Sequence, residues 1–419
     1  MLNKILRIFT IPELRKKLLF VLAILAVFRV AAIIPIPGID PERLEAFFRG
    51  NQLFGLLNIF SGGALDNLSI VMLGVGPYIT ASIIFQLITM ISPRMKELYE
   101  ESEASRRQFN QYTRYLMIPL AALQGYGLLV LFQNQEIIAR LTFEGFATNI
   151  LIITAGTTLL VWLGELISER GIGNGISMLI FAGIIAGLPQ AIRQAYFSYT
   201  PDQLPLYVAF AAITAVVIAG IVYINEAERP IPITYAKRVR GNRVYGGVST
   251  YLPLRVNQAG VIPIIFALSL LLFPSTIATF LGQVDIAGLQ RVAGWLSSAF
   301  NNQLLYGILY FVLVVLFTYF YTAMTFDPKR ISENIQKQGG FVPGIRPGGP
   351  TATFFSFVIN RITLAGAVFL GLIAILPNIL QGSTGNTAVT IGGTSILIVV
   401  AVILETKKQV EAQLSLYEY

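Results

Sequence analysis

Residues that commonly carry out chemistry in enzymes are scarce in this chain. Its 419 residues include no histidine and no cysteine, which removes the commonest general base, the commonest metal ligand and the thiolate nucleophile. No Asp, Glu or Lys lies near the middle of a long apolar run. The usual intramembrane protease dyads and metal sites cannot be built from such a set. We therefore expect no enzymatic activity, no catalytic residue, no metal and no cofactor.

Two charged residues do fall within apolar runs, Arg29 in the first and Glu165 near one end of the fourth. Arg29 is either an interior gating charge or an arginine paired with backbone carbonyls between helices, and we favour the second interpretation. Ion-coupled carriers usually need acidic groups at mid-membrane. Their scarcity argues against such a carrier, although sodium could still bind at the backbone of broken helices.

The elements that would position these residues are long apolar helices. The chain is 55% apolar and 12% charged, whereas about a quarter of the residues in an average soluble domain are charged. This composition excludes an ordinary soluble enzyme, a disordered chain and a nucleic-acid-binding domain, and it predicts an all-α polytopic membrane protein. Ten spans are predicted, at 18–37, 68–91, 113–133, 146–168, 175–192, 204–225, 258–281, 303–326, 362–381 and 392–405.

Positive charge alternates strongly between successive loops. Of the 30 Lys and Arg residues, 24 lie in one set of loops, which includes both termini, and five lie in the other set. Positive loops remain in the cytoplasm. We therefore expect a multi-pass protein with both termini cytoplasmic, and we expect the first apolar run to be retained as a helix.

Ten spans divide naturally into an N-terminal half, residues 1–192, and a C-terminal half, residues 193–419. Five helices per half would give the halves opposite orientations in the membrane, as in many transport folds whose pathway lies at the interface of inverted repeats. An accidental division into five and five is the alternative, because the sequence shows no strong internal repeat.

A glycine-rich segment and several polar residues interrupt this apolar pattern. Residues 53–66 are too short to span, and they form either a re-entrant segment inside the protein or a loop on the outer surface. Thr80, Gln86 and Asn257 are either polar contacts that join helices or a polar seam that opens.

Two basic loops, 227–257 and 327–361, contain signals for turns and a hairpin in addition to their positive charge. In the first, Gly241-Asn242 is a hairpin signal, and the tip holds Lys237, Arg238, Arg240 and Arg243. The second loop contains Arg346 within a Pro/Gly frame. These loops would dock an acidic protein surface or ribosomal phosphates, or else contact anionic lipid.

Seven groups of residues are specific in combination and run in order over nearly the whole chain. They are Ile34–Asp40, Phe60–Leu65, Pro77–Ile79 with Ala81–Ile84, Gln111–Tyr115, Glu169–Ser177, Phe341–Gly348 and Gly392–Ser395. In these groups the chain resembles the SecY family, the large channel-forming subunits of the bacterial Sec protein translocase. The resemblance implies two inverted, pseudo-symmetric five-helix halves around an hourglass pore. It also implies a protein-conducting channel in the bacterial inner (plasma) membrane.

The resemblance also implies roles for individual residues. The lateral gate would include Thr80, Gln86 and Asn257. Transmembrane segments of secretory and membrane pre-proteins would pass through this gate into the lipid bilayer. A pore ring would consist of Val75, Ile79, Ile176, Ile180, Ile265 and Ile398. A plug within 53–66 would include Asn58, Ile59, Phe60, Ser61, Gly62, Gly63, Ala64 and Leu65.

The implied partners are the SecE and SecG subunits, and either the SecA motor ATPase or the ribosome as the source of energy. The docking residues would be Lys237, Arg238, Arg240, Arg243 and Arg346, with Arg346 the strongest candidate. Val75 departs mildly from an all-isoleucine ring, and residues 95–104 depart from the usual glycine- and lysine-rich loop. An inverted-repeat secondary transporter for a small solute is the alternative function.

Overall fold

The computed structural model describes residues 11–37, 61–65, 67–100, 103–139, 141–197, 204–235, 238–240, 243–245, 249–283, 286–384 and 388–417. Within them, the N-terminal half is helical. Its helices are α1 (Pro12–Ile33), α2 (Gly76–Ile91), α3 (Pro93–Glu100), α4 (Glu103–Asn134), α5 (Phe143–Arg170) and α6 (Gly175–Phe197).

The C-terminal half adds a small sheet to its helices. In chain order the elements are α7 (Leu204–Glu226), β1 (Glu228–Tyr235), β2 (Arg238–Arg240), β3 (Arg243–Tyr245), β4 (Ser249–Arg255), α8 (Ile262–Gln283), α9 (Ala287–Asn301), α10 (Gln303–Thr325), α11 (Pro328–Lys337), β5 (Gly340–Phe341), α12 (Gly349–Thr384) and α13 (Ala388–Tyr417).

Each of the ten predicted spans overlaps one of these helices. Five helical segments in the described part of the chain are long and apolar enough to cross a membrane, and three further apolar helices are shorter. The five are Ala104–Asn134, Phe143–Arg170, Tyr207–Glu226, Leu304–Lys337 and Gly349–Pro377; the shorter ones are Gly76–Ile91, Gly175–Pro189 and Ile262–Leu271. The protein is therefore an all-α polytopic membrane protein with a small added sheet.

The first two predicted spans had wrong boundaries. The first span ends at Ile33 rather than at residue 37, because Ile34 precedes a proline and is extended. The second begins at Gly76 rather than at residue 68. Residues 68–75 form turns, with φ of 40° at Leu68 and 58° at Gly74, and Pro77 then starts the helix.

The hairpin prediction is confirmed. β2 and β3 pair antiparallel with Arg240 opposite Arg243, and the predicted turn residues Gly241 and Asn242 lie outside the described residues. The longer strands β1 and β4 form a second antiparallel pair, and β5 adds to the free edge of β1 through Thr234 and Tyr235. The two basic loops of the sequence therefore share one three-stranded sheet, in the order β4-β1-β5.

The largest buried cluster draws on both halves of the chain. Its apolar side chains come from α1, α2, α5 and α6 in the N-terminal half and from α7, α8, α10, α12 and α13 in the C-terminal half. The halves contact each other where α8 packs on α2 and α4, and where α13 packs on α6. We call these contacts the α2–α8 seam and the α6–α13 seam.

Candidate functional site

The six residues predicted to form a ring lie in this central cluster. Four helices and the turn before α2 bring them there from distant parts of the sequence. Five are buried and the sixth, Ile176, is half-buried against the same cluster. They are Val75, Ile79, Ile176, Ile180, Ile265 and Ile398.

Among these six residues, two pairs are four positions apart in the sequence, and local helix geometry brings each pair together. Val75 is the N-cap of α2, and its carbonyl accepts the backbone N–H of Ile79 at 3.0 Å, so both side chains lie on the same face. Ile176 and Ile180 are likewise four residues apart, in the first turns of α6. The lack of a side chain at Gly164 gives Ile176 its space, since an added Cβ there would lie 2.9 Å from Ile176 Cδ1.

Residues 61–65 lie between two apolar clusters, with Ala64 in the central cluster and Leu65 in a second cluster that includes Leu68 and Met72. Ser61, Ala64 and Leu65 are almost fully inaccessible to solvent. Ser61 Oγ accepts the backbone N–H of Leu65 at 3.1 Å, while Ser69 N–H donates to the Ala64 carbonyl at 3.0 Å. The alternative of a surface loop is wrong for these residues. Asn58, Ile59 and Phe60 lie outside the described residues.

Two contacts hold this segment against the helices. Arg29 donates from Nη1 to the Gly62 carbonyl at 3.1 Å, so the interior arginine pairs with a backbone carbonyl as we favoured. Gly62, at φ +68°, lies against Gly183 of α6, where an added Cβ would lie only 2.0 Å from Gly62 Cα. A Cβ at Gly62 would meet the Phe28 ring at 2.5 Å. The segment is therefore seated by backbone contact.

The polar residues of α2 bond within their own helix. Thr80 Oγ1 donates to the Gly76 carbonyl at 3.1 Å. Gln86 donates from Nε2 to Ser82 Oγ at 3.0 Å, and its Oε1 is buried without a hydrogen-bond partner. These bonds leave a buried acceptor beside the α2–α8 seam.

Asn257, just before α8, also bonds within its own half. Its Nδ2 donates to Asn225 Oδ1 at 2.6 Å and to the Gly260 carbonyl at 3.2 Å. Its Oδ1 is buried without a partner, like Gln86 Oε1. A buried acceptor without a partner costs about 1–3 kcal/mol. Thr80 and Gln86 therefore lie on α2, one of the two helices of the seam, and Asn257 lies in the segment that precedes α8, the other helix; the hydrogen bonds of all three stay inside their own halves.

The α6–α13 seam is joined by hydrogen bonds between the halves. The Gly173 N–H, just before α6, donates to Gln409 Oε1 at 2.7 Å, and Lys17 Nζ donates to Gln413 Oε1 at 3.4 Å. A separate apolar cluster accompanies these bonds, formed by Leu14, Ile172, Val410 and Leu414 with Ile11 beside it.

The same end of α13 also contacts α7. Lys407 forms an exposed ion pair with Glu226 at 3.4 Å, and Lys408 Nζ donates to the Asn225 carbonyl at 3.1 Å. Burial lowers the pKa of Lys408 from its ordinary value, and the positive charge of Arg255 acts in the same direction. The end of α13 therefore contacts elements of both halves.

Arg346 lies on a fixed turn beside the sheet. Its carbonyl accepts Thr351 Oγ1–H at 2.8 Å, and Ser332 Oγ donates to the Gly348 carbonyl at 2.7 Å. The Arg346 side chain is exposed. The backbones of Arg238, Arg240 and Arg243 form the neighbouring hairpin, and Lys237 lies outside the described residues.

Sequence reasoning missed two features of this region. Gly183 is the contact point for residues 61–65, and the signal for it was a single glycine inside an apolar span. Arg114 of α4 and Glu165 of α5 form an ion pair at 2.6 Å. Glu165 was noted in the sequence, but its distance along the chain from Arg114 hid the pairing.

Comparison with known proteins places the chain in a family. The family model described as SecY matches residues 69–407. The chain belongs to the SecY family. A protein translocase subunit SecY from Streptomyces galbus is 46% identical, with 100% of this chain and 99% of the relative covered. Its counterpart from Thermus thermophilus is 44% identical, with 98% and 94% covered.

Solved structures of SecY-type channels share the fold. One titled as a protein conducting channel matches with a TM-score of 0.64 at 19% identity, covering 94% of this chain and 91% of its own. The Sec61 chain of a canine ribosome-channel complex matches with a TM-score of 0.59 at 19% identity and the same coverage. These likenesses support the fold that the sequence predicted.

Proposed function

We propose that this chain is a protein-conducting channel that passes unfolded secretory polypeptides across the membrane. The observation that carries the proposal is the central cluster, where six ring residues from both halves of the chain meet. Apolar side chains on separate helices can surround a passing polypeptide without binding it, and a hydrophobic constriction is a recognised form of gate. Membership of the SecY family agrees with this function, and the comparisons give no support to the small-solute transporter.

Residues 61–65 act as part of a plug for this constriction. Ala64 packs into the same cluster as the ring residues, so an opening of the ring and a displacement of this segment are mechanically linked. The seat is made by the Gly62–Gly183 contact and the Arg29 hydrogen bond. Displacement of the segment would break these two backbone contacts and would also expose the buried side chains of Ala64 and Leu65.

The α2–α8 seam is the lateral gate of this channel, and Thr80, Gln86 and Asn257 are its polar residues. Support comes from the unpaired acceptors of Gln86 and Asn257, which gain partners if water or a polypeptide enters. Transmembrane segments would leave through this seam into lipid. The two halves, 1–192 and 193–419, would move as inverted units on either side of it.

The β2–β3 hairpin and the turn at Arg346 dock the partner that supplies energy, because we expect no enzymatic activity in the chain itself. Arg346 and the hairpin residues Lys237, Arg238, Arg240 and Arg243 form the docking surface for the SecA motor ATPase or the ribosome. SecE and SecG complete the complex in the bacterial inner membrane, with both termini in the cytoplasm. Solved relatives bound to ribosomes support the ribosomal partner.

The absence of native cysteine allows a direct test. Ile180→Cys is introduced, and a secretory precursor carrying one cysteine is stalled in the reconstituted complex with its motor. We expect ATP-dependent disulfide formation in a narrow register of the precursor. Ile185→Cys is the matched control, because this exposed residue lies five positions along α6 and therefore on another face.

Failure would take a clear form. No crosslink from Ile180, Ile79 or Ile398, while the complex still binds its motor, would remove the assigned pore. Equal crosslinking from Ile180→Cys and Ile185→Cys would show contact without a defined path. Absence of all three crosslinks would also restore the small-solute transporter as a candidate function.

A further inference from the structure

The helix α9 connects the end of α8 to the start of α10 on the side of the molecule opposite the sheet. Its middle lies beside the last turn of α8, since an added Cβ at Gly282 would lie 3.7 Å from Ala293 Cβ. Its end meets α10 through a single residue, Asn302, whose Oδ1 accepts the N–H groups of Leu304 and Leu305 at 3.1 and 3.3 Å. Asn302 is the one residue between the two helices, and we call this connection the Asn302 corner; it holds the end of α9 close to the first turn of α10.

One stripe of α9 faces the protein. Leu289, Ala293, Leu296 and Phe300 are buried or half-buried, and they recur at the spacing of one helix face. Phe300 packs against the central cluster. This stripe accounts for the docking of α9 on α8 and α10.

The remaining surface of α9 passes from apolar to polar residues around the helix. At 100° per residue, Val292 lies about 70° from the centre of the buried stripe and Trp295 about 130° from it on the same flank, while Arg291 and Ser298 lie about 170° from it, on the far side. Val292 and Trp295 are both exposed, with Trp295 at 69% of its full accessible surface. Burial in the protein therefore does not explain why this flank is apolar.

The neighbouring surface of α10 indicates what covers that flank. Leu304, Ile308, Val312 and Leu316 are exposed at four-residue intervals, which marks the face that a membrane-spanning helix turns to lipid. Leu304 stands at the beginning of this stripe, two residues after the Asn302 corner. The apolar flank of α9 and the lipid-facing stripe of α10 thus lie on the two helices that the Asn302 corner joins, at the end where α10 enters the membrane.

We propose that α9 lies in the interfacial layer of the bilayer, with Val292 and Trp295 in contact with lipid and Arg291 and Ser298 toward headgroups and water. Helices with one apolar and one polar exposed side lie in this layer, and tryptophan is enriched there. Because α9 is attached to both α8 and α10, its partner is the lipid surface and its role is to anchor the corner between these helices.

Tryptophan fluorescence gives the first test, because the chain has two tryptophans. Trp162→Phe leaves Trp295, and Trp295→Phe leaves Trp162, which is exposed on α5 about 12 Å along the helix from Arg170. Each full-length variant is reconstituted with its subunits in phosphatidylcholine–phosphatidylglycerol vesicles. The lipids carry bromine either near the headgroup or deep in the acyl chain. The double variant supplies the background emission.

We expect shallow bromine to quench Trp295 several-fold more than deep bromine, and the order to reverse for Trp162. Three results would overturn the proposal. If aqueous acrylamide quenches Trp295 and neither brominated lipid does, Trp295 faces water. Trp295 protected from all three quenchers is covered by protein, such as a subunit or a second copy. Trp295 quenched mainly by deep bromine lies below the interface.

A second test leaves both tryptophans in place. Val292→Cys and Ser298→Cys each introduce one cysteine on α9, and both are labelled with an environment-sensitive fluorophore. We expect aqueous iodide to quench the label at position 298 several-fold more than the label at position 292. Equal accessibility at the two positions would contradict the proposed orientation, even if the helix itself stays folded.

Discussion

The α2–α8 seam and the α6–α13 seam join the same two halves by different means. Around the first, Gln86 and Asn257 bond within their own halves and retain buried acceptors without partners. Across the second, Gln409 and Gln413 accept hydrogen bonds from the other half, and an apolar cluster closes around them. From this difference we predict that opening costs less at the first seam, because its polar groups remain available for new partners.

The largest expected effect comes from removing apolar packing between α1 and the end of α13, beside the α6–α13 seam. Leu14 is fully buried against Val410 and Leu414. Leu14→Ala should lower the free energy of unfolding by about 2–5 kcal/mol, because a cavity is left between the halves. Denaturant titration of the purified complex in detergent measures the change.

Leu19→Ala on the same helix is the control, since Leu19 is exposed. It should unfold close to the unmodified protein. If the two alanine variants unfold alike, the contact of α1 with the end of α13 contributes little to holding the halves together.

A smaller effect is expected from the hydrogen bond across the same seam. Gln409→Leu leaves the Gly173 N–H without its acceptor and should cost about 1–3 kcal/mol of unfolding free energy. Gln409→Glu keeps an acceptor at this position and should recover most of the loss. The midpoint of thermal unfolding, measured for both variants, separates them, and equal midpoints would show that the bond is not needed.

The smallest effect is expected from the same substitution at the other seam. Gln86→Leu removes an unpaired buried acceptor together with one hydrogen bond within α2, so stability should change by less than about 1 kcal/mol. Precursor transport should nevertheless slow, because the seam then has one polar group fewer to offer on opening. A loss of stability as large as that of Gln409→Leu would erase the proposed difference between the seams.

Apolar runs in the sequence were enough to find the ten main helices, because the bilayer requires long apolar stretches. Apolar runs were not enough to find the helix ends that lie beyond the apolar residues. α12 begins at Gly349 and α13 continues to Tyr417, well beyond the predicted limits of 362 and 405. The polar ends of these helices are stabilised by contacts such as those of Gln409, which hydropathy does not report.

The short helices α3, α9 and α11 were missed for a related reason, since none is apolar throughout. Motif positions in the sequence indicated six residues that the structure brings into one buried cluster, and their role as a pore ring stays a prediction. The candidate site was not predictable where two distant backbones meet. The contact between Gly62 and Gly183 depends on how α6 packs against the segment before α2, and sequence spacing contains no trace of that distance.

The hydrogen bond from Arg29 to the Gly62 carbonyl has a consequence for the energy of transport. Arg29 is partly buried, and a guanidinium shielded from water needs a hydrogen-bond acceptor. If residues 61–65 move away as we propose, Arg29 loses one peptide carbonyl at the moment when a polypeptide would bring others, at intervals of roughly 3.3–3.6 Å in an extended chain. We therefore expect Arg29 to exchange the channel's own carbonyl for one of the translocating polypeptide, and the segment to leave most readily when that replacement is present.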